Sequence, residues 1–375
     1  MKRGFINLKG IVSCFVLLSV MAGSVMPTFA SEKNLDIRVI TYDEAIQLAT
    51  KENSSLKEIS DNIKYINDVK GSMFSDTDFG MLYDDGTNYL ITAARFQRLT
   101  SLNSLSTQQR NLRLSKDLTK LSIEAGVKGE MTTISTLENN YELAKDSLEL
   151  AVQQLSQKST MYRLGMIGKV DYDKAVKDVQ SQREQLKQLE MTIEQEYNSF
   201  KKLLGLNKDE KLEIEYEIEY EPIETVTDMA GFVNTKIKSD LGLKVESENV
   251  KASAFGLDLY ISTGRSSTDY DKQELDVKTA ERNYAENVKA KENSIINAYI
   301  GLQNTETERK VLENNLAQAK ADLETARINY EVGNITKLQY DSANMAVKQA
   351  EFAIEQNTLT HDINKFMLDN TCLLQ

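Results

Sequence analysis

The sequence predicts an all-α fold: two tandem repeats of a long antiparallel coiled-coil hairpin, with a short strand between the repeats. Three observations carry this prediction. One segment occurs twice, as Tyr162-Arg-Leu164-Gly165-Met-Ile167-Gly-Lys169-Val170-Asp171-Tyr172-Asp173-Lys-Ala175 and as Tyr330-Glu-Val332-Gly333-Asn-Ile335-Thr336-Lys337-Leu338-Gln339-Tyr340-Asp341-Ser-Ala343, and an internal repeat of this length marks a duplicated unit. Apolar residues on both sides of each copy keep 4-3 spacing over many turns, the pattern of a coiled-coil seam. The 375-residue chain has 2 prolines. Because proline breaks helix interiors, their scarcity permits very long helices.

Residues 1–30 read as a secretory signal. Lys2, Arg3 and Lys9 form its basic start, Ile11 to Ala22 its apolar stretch, and Thr28-Phe29-Ala30 precede a cut at Ser31. Neither this stretch nor any later one reaches the roughly 18 apolar residues of a membrane-spanning helix. Cleavage leaves Cys372 as the one cysteine, which excludes an intrachain disulfide. The mature chain divides into repeats at 31–222 and 223–375.

Within the first repeat, Thr41 is the expected N-cap of a helix running to about Lys70, with Glu44 as its capping-box partner. A turn signal follows at Asp84-Asp85-Gly86. The long outgoing helix keeps its seam from Ile123 through Val127, Ile134, Leu137, Tyr141, Ala144, Leu148, Ala151 and Leu155 to Tyr162. Gly126 and Gly129 weaken it by about 1 kcal/mol each relative to Ala. The returning helix carries Ala175, Val179, Leu186, Leu189, Ile193 and Phe200, and Gly205 is its expected C-cap. Leu212 to Tyr220 alternates apolar and acidic residues, a half-buried strand ended by Pro222.

The second repeat opens near Val226-Thr227-Asp228, where Asp43 of the first opening recurs as Asp228 and Asn53 as Lys238, an offset of 185. Gly165 recurs as Gly333, an offset of 168, so the first repeat holds roughly 17 extra residues between opening and tip, placed in Phe74–Tyr89. A strict seam then runs from Tyr284 through Ile295, Leu302, Leu312 and Leu323 to Tyr330, and returns through Ala343, Val347, Ala350 and Ile354.

Several function classes are excluded by composition. A net charge of −12 opposes nucleic-acid binding, which needs basic surface. His361 is the one histidine and falls on a seam position. With a single late cysteine it cannot make a zinc site of about four ligands. Phosphate-binding glycine loops are absent. The chain is therefore expected to be no enzyme and to hold no metal or cofactor. The tips differ from the rest: left-handed caps at Gly165 and Gly333 close each hairpin, and Tyr and Ile can staple the helices across the turn. Closure alone leaves the shared Lys, the second Tyr and Asp-x-Ala to common ancestry or to a binding surface.

On these residues the chain resembles the TolC-type outer-membrane efflux family over most of 40–370, most specifically at Tyr330-Glu-Val332-Gly333-Asn-Ile335-Thr336. The resemblance implies a homotrimer whose helices form a hollow tube, docked by its tips onto a membrane-fusion adaptor of an inner-membrane transporter. Leu164, Gly165, Ile167, Val332, Gly333, Ile335 and Thr336 would meet the adaptor. Asp171 and Tyr330 align with residues that constrict the channel. Ile335 stands where the family has a gating Arg, and Gln339 and Ser342 where it has two acidic residues, leaving Asp171, Asp173 or Asp341 as candidate charges. The family also places two membrane strands in each repeat, of about 9–11 residues each. Phe74–Ile91 could hold at most a stunted hairpin and Ile261–Asp269 none. The resemblance implies residence in the outer membrane; with a reduced or missing barrel as the expectation, the protein is read as an exported tube of the cell envelope that need not enter that bilayer. The alternative from the residues alone is a secreted structural coiled coil that transports nothing.

Overall fold

The computed structural model describes residues 37–75, 89–258 and 267–374. They form β1 (Arg38–Thr41), α1 (Tyr42–Glu52), α2 (Ser54–Ser75), α3 (Tyr89–Arg163), α4 (Lys169–Leu204), β2 (Leu212–Glu215), α5 (Met229–Ser239), α6 (Leu241–Asp258), α7 (Ser267–Glu331) and α8 (Lys337–Asp369), with a 3-10 turn at Thr371–Leu373. The 75 residues of α3 and 65 of α7 correspond to about 110 and 100 Å of helix.

The long helices lie side by side in the order α4–α3–α8–α7: each hairpin packs on itself, and α3 packs on α8 between them. Burial follows from this order. Over residues 169–191 outer α4 covers one stripe through Tyr172, Ala175, Val179, Gln182, Leu186 and Leu189 and leaves the rest exposed; beyond it Ile193, Tyr197, Phe200 and Leu204 are covered as well. Outer α7 keeps a single stripe at Leu312, Leu316, Ala319 and Leu323 toward its tip, and is covered more widely over 291–299, around Ile295 and Tyr299. Inner α3 and α8 are covered on two faces, as over 132–141 and 352–354. The α3–α8 contact is strongly polar: Lys128 pairs with Asp362 and Lys348 with Asp146, Thr136 donates to Gln356 at 3.2 Å and Asn139 to Glu355 at 2.5 Å. The apolar cores sit far from the tips. One joins Ile40, Ala45, Val127, Met131, Phe200 and Leu204, and the other joins Val233, Ile295, Tyr299, Leu302 and Leu368.

Four expectations need correction. The first helix is not continuous to Lys70. It breaks at Asn53, whose extended backbone (ψ 115°) starts a second helix and whose Oδ1 accepts the Leu56 N–H at 3.0 Å. Asp240 makes the same break in the second repeat, accepting the Leu243 N–H at 2.9 Å. The matched residues are thus Thr41 with Asp228 and Asn53 with Asp240, an offset of 187, so the first repeat carries 19 rather than 17 extra residues. Thr41 does cap α1, accepting from Glu44 N–H at 3.4 Å, but the Glu44 carboxylate turns to Arg38 at 2.7 Å and leaves the box open.

The strand stops at Glu215. Its partner, β1, was hidden in the helix opening and pairs with β2 in parallel, Arg38 opposite Leu212 through Thr41 opposite Glu215. The ladder ends because β1 gives way to α1 at Tyr42, yet burial keeps alternating to Tyr220. The signal segment, the Asp84-Gly86 turn and the two stretches read as too short for barrel strands fall largely on 1–36, 76–88 and 259–266, outside the described residues. Among the described residues no helix is long and apolar enough to cross a membrane.

Candidate functional site

Each tip is closed by the same set of bonds. Gly165 (φ 73°) donates to Tyr162 O at 2.9 Å and Met166 to Met161 O at 2.8 Å. Gly333 (φ 77°) donates to Tyr330 O at 3.0 Å and Asn334 to Asn329 O at 2.8 Å. These are the paired bonds that satisfy the last carbonyls of a helix through a left-handed residue. The second repeated tyrosine has a structural task as well. Tyr172 stacks on Tyr162 with centroids 5.0 Å apart, and Tyr340 on Tyr330 at 5.6 Å. A staple was expected from Tyr and Ile; it is made by Tyr and Tyr.

Of the residues assigned to adaptor contact, Leu164 and Val332 are about two-thirds exposed, at 66% and 64%. Ile167 and Ile335 are half-buried, and Thr336 is exposed. Thr336 caps α8 in a closed box with Gln339: Gln339 N–H donates to Thr336 Oγ1 at 3.3 Å, and Thr336 N–H to Gln339 Oε1 at 2.9 Å. Of the residues assigned to a constriction, Gln339 is thus held in that box and Tyr330 in its stack. Asp341 lines a groove of about 200 Å³ between α3 and α8 behind the tips, together with Asp146, Gln153, Lys337 and Lys348. Asp171 is exposed in the first turn of α4. Among the described residues no hydrogen bond or ion pair joins Asp171 to the other three.

A second polar centre lies where the two repeats meet. The segment from Tyr216 to Val226 crosses α8 and α7 as a strap. Tyr220 is held between the Arg309 guanidinium, 3.8 Å from its ring centre, and the His361 ring at 4.9 Å. His361 is almost fully buried, its Nε2 3.3 Å from Glu306 Oε1, which also accepts the Ile223 N–H at 2.6 Å. Val226 N–H donates to Tyr299 Oη at 3.0 Å, and Glu221 pairs with Lys365 at 2.7 Å. Burial pushes the Tyr216 hydroxyl up to about 12, opposed by its hydrogen bond from Thr132 and reinforced by the charge of Asp362. Burial, and then Glu124, raises Tyr42 as well. A cavity of about 340 Å³ lies between residues 215–221 and Thr358, His361, Asp362 and Lys365. Sequence reasoning missed this centre, because its partners stand 55 to 146 positions apart. The sole local signal was the alternation of Leu212 to Tyr220.

No protein-family profile and no curated protein sequence matches the chain. Solved structures do. The Campylobacter jejuni CmeC outer membrane channel is 12% identical and superposes with a TM-score of 0.64 over 89% of this chain and 86% of its own. The outer membrane protein VceC from Vibrio cholerae, also 12% identical, gives 0.62 over 88% and 96%. The open state of the Neisseria gonorrhoeae MtrE outer membrane channel, 13% identical, gives 0.57 over 88% and 89%. The chain has the TolC-type fold. At this identity the likeness concerns the fold, and it agrees with the architecture expected from the duplicated tips. Within that fold Gly165 and Gly333 mark corresponding hairpin turns, and β1–β2 with the strap joins the two repeats at a distance from the tips.

Proposed function

We propose that the chain is one subunit of an export conduit of the cell envelope. Three copies close their four-helix layers into a tube. The repeats at 31–222 and 223–375 each supply one hairpin. The two tips, through Leu164, Gly165, Ile167, Val332, Gly333, Ile335 and Thr336, meet a membrane-fusion adaptor that serves an inner-membrane transporter. Asp171, Tyr330, Gln339 and Asp341 stand near the narrow end of the tube. The protein is exported by its first 30 residues, has no catalytic role and binds no nucleic acid.

The observation that carries this reading is an unclosed layer with two matched tips. Its outer helices present large apolar residues to solvent: Val170 and Met191 on α4, and Ile300, Val311 and Ile328 on α7. Side-by-side addition of another layer would cover such residues, each worth up to roughly 1.5–3 kcal/mol when fully buried. The CmeC, VceC and MtrE channels share the fold.

Light scattering on the signal-cleaved protein, in mild detergent and in plain buffer, tests the reading. A trimer in either supports it. A monomer or dimer in both overturns the self-closing tube and favours a coiled coil without a lumen.

A further inference from the structure

We propose that the strap is a docking edge for an extended, basic strand of a partner protein, added beside β2. This inference does not rest on the conduit reading. From Glu217 to Pro222, no backbone N–H or C=O makes a hydrogen bond among the described residues; the next bonded amides are Ile223 and Val226. The segment nevertheless alternates in burial, with Tyr216, Ile218 and Tyr220 half-buried and the glutamates between them exposed. It is therefore a continuation of β2 that has lost its ladder partner, since β1 ends at Thr41. The five residues from Glu217 to Glu221, at about 3.3 Å each, give about 17 Å of edge, the length of an ordinary strand. Strand addition to such an edge draws its affinity from backbone hydrogen bonds. The cavity of about 340 Å³ borders residues 215–221 on the side of α8.

Charge selects the occupant. Glu213, Glu215, Glu217 and Glu219 are exposed and form no ion pair among the described residues. The two lysines of the cavity wall are already matched, Lys128 by Asp362 and Lys365 by Glu221. A strand carrying Lys or Arg at every second position would set these against the glutamates as cross-strand pairs. A second copy of this strap would set glutamate against glutamate, and like charges directly opposite destabilise a strand pair.

The test uses the full chain and a blocked heptapeptide alternating lysine with valine, read by anisotropy and by hydrogen exchange at amides 217–221. A twin peptide, N-methylated at alternate amides, keeps charge and length but lacks the donors. The expected result is saturable binding of the first peptide, with new protection at 217–221. Its twin should bind about tenfold more weakly. The double variant Glu217→Gln/Glu219→Gln should bind on the order of fivefold more weakly. Equal binding of both peptides, failure of the first to bind, or amides 217–221 already protected in the free chain would each overturn the proposal. The last outcome would show the edge occupied by this chain or by a second copy.

Discussion

The two tips have one backbone and two chemistries. Their turn bonds agree closely in pattern and length, and each is stapled by a tyrosine stack. They differ where the returning helix begins. Thr336 and Gln339 close a full box on α8, whereas Gly168 caps α4 with no side chain at all. They differ outward too: Leu164, Met166 and Val170 are exposed around the first tip, while the second pairs exposed Val332 with Asn334 and a half-buried Leu338. The duplicated motif therefore separates into two parts. Gly and the Tyr pair close the turn and have been kept in both copies. The cap and the outward residues have diverged, so under the proposed docking role selectivity between partners would reside there.

The largest effect should come from the shared glycines. An added Cβ at Gly165 or Gly333 meets nothing within 4 Å, so Ala at either costs backbone strain alone. Left-handed geometry costs an L-residue about 1–2 kcal/mol. Hydrogen exchange at amides 164–166 and 332–334 should report equal local loosening in Gly165→Ala and Gly333→Ala. An unaffected tip would break the equivalence of the two turns.

Next come the stacks. Tyr172→Leu and Tyr340→Leu keep an apolar side chain but lose the ring pair, worth about 0.5–1.5 kcal/mol beyond burial. Equal losses at both tips are expected in the same exchange measurement. A silent Tyr172→Leu would mean that Tyr162 and Tyr172 were repeated for contact with a partner. Thr336→Ala, by contrast, should act on the second tip alone, at a cost of about 1 kcal/mol for the lost cap. Faster exchange at Gln339, with the first tip unchanged, would confirm the asymmetry.

Local periodicity made the long helices legible. The seam positions Ile295, Leu302, Leu312 and Leu323 are covered as spaced, and Gly205 ends α4 in the left-handed region with its N–H on Lys202 O at 3.3 Å. The breaks were less legible. Asn53 and Asp240 sit inside helical patterns, and an Asx residue there becomes a cap only when tertiary packing bends the chain. Four-residue β1 was too short to show a period of its own and was absorbed into the α1 opening. The strap centre depended on distant partners: nothing near Tyr220 announces Arg309 and His361. His361 itself was placed on a seam by its spacing. It is buried there, and its contact with Glu306 is what distinguishes it from the aliphatic residue that spacing suggested. Among the tip residues, Gln339 looked like channel lining from the resemblance alone, while its position three after Thr336 already fitted a capping box.

Gly168 has φ −76° and ψ 161°, a conformation open to any residue, and its added Cβ would meet Asp171 Oδ2 at 3.8 Å, an ordinary contact. Serine there has room to accept the Asp171 N–H, as Thr336 accepts that of Gln339, and should gain a few tenths of a kcal/mol. The checks are slower exchange at Asp171 and the mass of the assembly. A gain in local protection with the assembly unchanged would mean that Gly168 is only a weaker cap. A gain in protection with loss of assembly would mean that another backbone approaches at Gly168, where a side chain cannot be accommodated. The first tip would then have given up its cap for contact with another chain.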